Sequence, residues 1–174
     1  FVARRPALSV LYATETGCVI NHIRLPSNET TLAHRLSEQG YEVGYLGKWH
    51  LASGGPIEGP DNFRIKPVPP DRRGGYKDFW LAADILEFTS HSYDGHMFDG
   101  AMNRREFPPH RYRVDAQTDW ALEYLQTRTL EKPFFLFLSY IEPHYQNDHR
   151  HHEGPEGSKT LFKNFRPPAD LVHA

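Results

Sequence analysis

The chain is 174 residues long, enough for one domain with a real core, and its 20 basic against 22 acidic residues leave a formal charge of -2. That balance gives no electrostatic footing for nucleic acid or an anionic membrane surface, so any anion chemistry must be local. A single cysteine, Cys18, excludes an intrachain disulfide framework and a multi-cysteine zinc site, and the apolar run at 134–138 falls far short of the roughly 18 residues a membrane helix needs.

The chain opens on Phe1 rather than methionine and stops at Ala174 shortly after a Pro-Pro pair, as expected of a fragment cut at both ends. Residues 3–12 read as a short helix with Ala7, Leu8 and Leu11 on one side. Residues 28–40 begin with capping residue types, carry Leu32 and Leu36 four apart and stop at Gly40, which predicts a second helix. Residues 41–46 then read as a strand, and Gly47 is expected to open the turn that follows. Between 52 and 111 the pattern dissolves into Gly, Pro and aromatic residues, which predicts a long, substrate-facing loop region with a few short elements. Val114, Thr118, Ala121, Leu122 and Leu125 restore helical spacing through residue 127. Residues 134–141 form an almost unbroken apolar run, expected of a strand in the middle of a sheet covered by helices on both faces.

The chemistry is concentrated where the two predicted strands end. Residues 40–50 read Gly-Tyr-Glu-Val-Gly-Tyr-Leu-Gly-Lys-Trp-His, delivering Lys48, a permanent cation, and His50, which can move protons. On a backbone that stays extended, positions two apart point to the same side, so both could reach one anionic group. Glu142, Pro143 and His144 stand just past the second strand, and in open α/β sheets ligands bind at the carboxyl ends of the strands. Trp49, Phe79 and Trp80 read as packing aromatics, with bordering a leaving-group pocket as the alternative. Asp94 and Asp99 read as loop-capping carboxylates, with lining a substrate pocket as the alternative, and the group of His149, His151 and His152 reads as part of a solvated loop whose spacing matches no standard zinc pattern.

The order helix, Gly-Tyr, strand, Gly-Lys-Trp-His-Leu, then Lys-Pro-Phe-Phe-Leu-Phe-Leu-Ser-Tyr-Ile-Glu-Pro-His closely resembles the sulfatase family of the alkaline-phosphatase superfamily, through nearly the whole chain. The resemblance implies an α/β fold with a mostly parallel central sheet and helices on both faces, all 174 residues belonging to a single catalytic domain. The family's first signature, Cys-x-Pro-x-Arg, carries a cysteine or serine oxidised to formylglycine. Leu11-Tyr-Ala-Thr-Glu-Thr-Gly17 matches the stretch that follows it in similar sulfatases, and counting back sets the signature arginine on Arg4, its proline on Val2 and its nucleophile one residue before Phe1. Cys18 is no substitute, because Cys18-Val-Ile-Asn-His22 lacks both the proline and the arginine.

The resemblance implies a mechanism in which the aldehyde hydrate attacks sulfur, the alcohol leaves, and sulfate is then expelled, with charge building on oxygens throughout. Arg4 would hold the formylglycine, Lys48 would bridge the formylglycine and a sulfate oxygen, His50 would act as base during sulfate expulsion, and His144 would bind a sulfate oxygen and protonate the leaving alkoxide. A calcium ion is implied as well, with ligands mostly outside these residues, and a formylglycine-generating enzyme is the implied partner in maturation. The substrate would be a small-molecule or glycan sulfate ester, with a periplasmic or secreted location preferred, and the chain as it stands is expected to be inactive. Two rivals remain: a phosphonate or phosphate monoester hydrolase of the same superfamily, and a non-catalytic descendant that binds sulfated glycans.

Overall fold

The computed structural model describes residues 12, 14–18, 23–54 and 59–142. All of the predicted helix at 3–12 except its last residue, together with Arg4, His144 and the histidines at 149, 151 and 152, lies outside the described residues.

The first described helix, α1, spans Leu32–Glu38. Thr31 caps it: its hydroxyl accepts the His34 backbone N–H while the Thr31 N–H donates to the His34 ring at 3.1 Å, a capping box closed by histidine where Glu or Gln is usual. Gly40, at φ +83°, takes the left-handed conformation that ends the helix, and the Tyr41 N–H returns to the Leu36 carbonyl. Strand β1 follows at once as Glu42–Lys48.

Strand β2 is Phe79–Ala83, β3 is His96–Asp99, β4 is Arg104–Glu106, helix α2 is Arg113–Thr127 and β5 is Phe134–Ser139. The sheet order is β4-β3-β2-β1-β5. Strand β1 is parallel to both β2 and β5, with Tyr45 opposite Trp80 on one side and Phe137 on the other, whereas β2–β3 and β3–β4 are antiparallel. The expected α/β sheet is therefore present, its parallel part at β2-β1-β5 and an antiparallel hairpin added beyond β2.

Alternation along the strands builds two cores, one on each face. Val43, Tyr45, Trp80 and Ala82 point into the first, with Ala33 of α1 and, beside them, Leu36, Phe135 and Phe137. Leu46, Leu81 and Ala83 point into the second, against Ala116, Trp120 and Ala121 of α2 and flanked by Phe79, Leu136 and Leu138. Helices thus cover both faces, as expected. Tyr45 is the hub of the first core: its ring centroid lies 4.9 Å from that of Trp49, 5.1 Å from Tyr76, 5.3 Å from Phe137 and 5.5 Å from Trp80. Trp49 and Trp80 are packing residues, and Phe79 stacks on Tyr124 across the other face. Cys18, also fully buried, belongs to the first core and donates its thiol to the Arg24 carbonyl at 3.3 Å.

Two expectations need correction and a third gains detail. The few short elements expected in the 52–111 region include β2, β3 and β4, and β2 sits between β1 and β3 inside the sheet. Phe79-Trp-Leu-Ala-Ala is short and apolar on both faces, so it shows no alternation, and the Gly and Pro around it hide its ends. Strand β5 lies at the edge of the sheet among the described residues rather than in its middle, and its side chains from Phe135 to Leu138 are only partly buried. Finally, β1 runs through Gly47 to Lys48. Gly47 takes φ +114° inside the strand, where a Cβ would overlap the Ser139 carbonyl oxygen, so only glycine lets β1 and β5 approach this closely.

Candidate functional site

The parallel strands β1, β2 and β5 end at one edge of the sheet, and that edge gathers an unusual density of buried charge. Lys48, the last residue of β1, is 1% exposed. Its backbone is pinned from two directions, the carbonyl accepting the Tyr45 hydroxyl at 2.6 Å and the Ser139 hydroxyl at 2.9 Å. Its ammonium donates to the Glu87 carboxylate, itself buried. Glu87 lies on a single 3-10 turn, Leu86–Phe88, that begins three residues after β2 ends.

The turn after Lys48 is held by Asp84, the residue just past β2. The Trp49 N–H donates to the Ala83 carbonyl at 2.9 Å and the His50 N–H to the Asp84 carbonyl at 2.7 Å. The Asp84 carboxylate then accepts the N–H groups of Ala52 at 2.9 Å and Ser53 at 3.0 Å. Complete burial pushes this carboxyl up from its ordinary value, opposed by hydrogen bonds from the Ser53 side chain and from the backbone of Ala52, Ser53 and Leu51, which favour the charged form.

His50 adopts φ +56°, a conformation rare for a side chain with a Cβ. The extended backbone expected from Lys48 to His50 therefore breaks at His50, and the two-residue alternation of a strand does not relate the two side chains. A strained backbone of this kind persists only where the surroundings over-determine it, which the Asp84 contacts do here.

A second buried network stands at the exit of β5. Arg113, the first residue of α2, directs its Nε at 3.0 Å and Nη2 at 2.6 Å to one oxygen of Glu142, and its Nη1 at 3.0 Å to the Ser90 hydroxyl. Its backbone N–H donates to the Ser92 carbonyl. Glu142 immediately precedes Pro143 and His144 in the sequence. Arg113 thereby ties the end of β5 to the segment that carries Glu87.

Of the sequence-predicted residues, Lys48 and His50 stand at this edge, and Arg4 and His144 lie outside the described residues. Asp94 pairs with His91 at 2.6 Å on an exposed loop, and Asp99 accepts the Asn103 N–H in the β3–β4 turn, both loop-holding roles as expected. Asp84, Glu87, Ser90 and Arg113 were not predicted. The signal for the two acids was two carboxylates inside the otherwise apolar Phe-Trp-Leu-Ala-Ala-Asp-Ile-Leu-Glu-Phe of residues 79–88, where a charge must be paired if it is buried. Arg113 looks like any helix-terminal cation until β5 is set beside it.

A family model described as Sulfatase matches residues 2–166. An ulvan-active sulfatase of Formosa agariphila is 28% identical over 171 residues, covering 97% of this chain and 29% of that protein. Among solved structures, one from work on the metabolism of multiple glycosaminoglycans by Bacteroides thetaiotaomicron superposes with a TM-score of 0.62 at 21% identity, covering 79% of this chain and 31% of that one. Another, solved in complex with its substrate D-glucosamine-2-N,6-O-disulfate, superposes with a TM-score of 0.52 at 23% identity, covering 95% of this chain and 28% of that one. The chain thus spans about three tenths of the length of the relatives it matches. The fold agrees with a family match over almost every residue, and the chain belongs to the sulfatase family.

Proposed function

We propose that the complete protein hydrolyses sulfate esters and that the carboxyl edge of β1, β2 and β5 forms one wall of its anion pocket. The observation that carries this reading is Lys48: a lysine made almost inaccessible at the end of a central parallel strand, in a sulfatase-family chain, with its backbone locked by two hydroxyls. A fixed cation in a low-dielectric site stabilises developing oxyanion charge far more than one in water, because no solvent or side-chain reorganisation is needed as the charge builds. His50, on its strained turn, would take the proton of the hydrate hydroxyl, while Arg4 would hold the formylglycine and His144 would protonate the leaving alkoxide.

The formylglycine nucleophile and calcium belong to the same proposal. Among the described residues no group of three or more His, Cys, Asp or Glu side chains could hold a metal ion, and the calcium ligands would lie mostly outside this chain. The ulvan-active relative and the neighbour that binds a disulfated glucosamine support a sulfated glycan as the substrate class.

The test is turnover of p-nitrophenyl sulfate and p-nitrophenyl phosphate by the complete protein carrying Lys48→Ala or His144→Ala. A preference for the sulfate ester and a loss of at least about a hundredfold in each variant are expected. Near-normal turnover in Lys48→Ala would refute the role of Lys48, and a preference for phosphate would reassign the protein to the phosphate-cleaving side of the superfamily.

A further inference from the structure

Asp84, Glu87 and Ser90 recur at intervals of three along the segment leaving β2, and each holds a different part of the site edge. Asp84 accepts the backbone N–H of His50, Ala52 and Ser53. Glu87 accepts the Lys48 ammonium. The Ser90 hydroxyl accepts from Arg113, which grips Glu142. The segment is tightly wound: the Phe88 N–H donates to the Ile85 carbonyl and the Thr89 N–H to Leu86 across three residues, while the Ser90 N–H reaches the same Leu86 carbonyl across four. The Ser90 hydroxyl also donates to the Leu86 carbonyl at 2.9 Å, closing the turn on itself.

We propose that Glu87 is a positioning residue for Lys48, the middle point of a three-point clamp that sets the relative placement of the β1 and β5 exits. This inference rests on reading Lys48 as the anion-binding lysine. Stability alone is a poor reason to keep this pair. Moving two charges out of water is costly for each ion, and well-packed apolar residues of the same volume are often as stable or more so. A geometric demand explains it better. Lysine is a point charge on a flexible four-carbon stem with much rotamer entropy to lose, so a carboxylate fixed on a rigid turn is what confines its ammonium to one place. An ammonium has three N–H donors, so a bond to one carboxylate is compatible with donation to a substrate oxygen. Glu87 itself need not touch substrate, and its influence would pass through Lys48.

The experiment uses the complete protein with p-nitrophenyl sulfate and compares Glu87→Gln, Glu87→Asp, Lys48→Ala and the double variant Lys48→Ala/Glu87→Gln, with kcat expressed per folded molecule from circular dichroism. Glu87→Asp keeps the charge and withdraws it by one carbon, so it probes placement even if Glu87→Gln folds poorly. Both single Glu87 variants should lose about tenfold to a hundredfold in kcat, the scale expected when a catalytic group is misplaced by around 1 Å. KM should change far less, because the interaction matters most in the transition state. The double variant should be no worse than Lys48→Ala. Wild-type kcat per folded molecule in both Glu87 variants, beside an inactive Lys48→Ala, overturns the inference and leaves the site reading standing. An equal further loss in the double variant also overturns it, because Glu87 would then act independently of Lys48. An active Lys48→Ala overturns both.

Discussion

Two ion pairs in this molecule use the same chemistry in opposite surroundings. Lys48–Glu87 joins the ends of β1 and β2 at the site edge, its side chains 1% and 5% exposed, whereas Arg105–Glu123 joins β4 to α2 with side chains 37% and 54% exposed. Arg113–Glu142 falls with the first, at 3% and 11%. Exposed pairs form at little cost and contribute little, because water solvates either partner nearly as well. Buried pairs are different, since each partner depends on the other for its solvation and the geometry must be kept. Two such pairs stand at the edge where Lys48 ends β1, and a third, Arg128–Glu42 at 7% and 16%, holds the opposite end of the same strand. The β3–β4 side of the sheet carries the exposed Arg105–Glu123 pair instead.

The largest effect that can test this contrast is Arg113→Met. It keeps the aliphatic bulk and leaves the Glu142 carboxylate without its guanidinium, and the expected loss is about 3–5 kcal/mol in urea unfolding of the protein. A loss under about 1 kcal/mol would erase the distinction between the two regions. Glu123→Gln is the matched surface change, with an expected cost of less than about 1 kcal/mol that shrinks further as salt is added.

Smallest is a pH effect on the hairpin side. Partial burial, aided by Arg104 and opposed by Glu106, holds the His96 imidazole below its ordinary value of 6.5. The folded state therefore binds fewer protons than the unfolded chain just below that value. The associated stability is present above it and is lost as pH falls through the lower folded-state value. Thermal midpoints measured from about pH 7.5 down to about pH 5 should fall less steeply in His96→Gln than in the wild type. Equal slopes would show that His96 does not couple to folding.

Legibility in the sequence followed the range of the interactions. Helix α1 was readable because its signals are local: Thr31 at the cap, Leu32 and Leu36 one turn apart, Gly40 at the end. Helix α2 was readable from the spacing of Val114, Thr118, Ala121, Leu122 and Leu125, but the face it buries is Ala116, Gln117, Trp120, Ala121 and Tyr124, and Leu122 and Leu125 stand exposed on the other side. Strand β2 was not, since five apolar residues without alternation look the same in a strand, a turn or a buried loop. Among the described residues β5 has a strand on one side only, and its apolar run could not have told how many neighbours it has. An apolar run reports that both faces are shielded to some degree, and it carries no information about how many strands flank it.

The residues of the site divide in the same way. Lys48 and His50 could be placed near the end of β1 because the strand pattern and the family resemblance share one short, contiguous stretch, although β1 runs one residue past Gly47. Contacts spanning 39 residues from Lys48 to Glu87, 29 from Arg113 to Glu142 and 91 from Ser139 to Lys48 have no local signature. By itself, then, the sequence determined the family, the two described helices, the parallel core strands β1 and β5, and the residue types at their ends. Only the tertiary structure decided that β2 enters the sheet beside β1, that His50 leaves the extended conformation, and that Asp84, Glu87 and Arg113 grip the strand exits. The physical reason is that a buried charge takes its role from its partner, and folding is what chooses the partner.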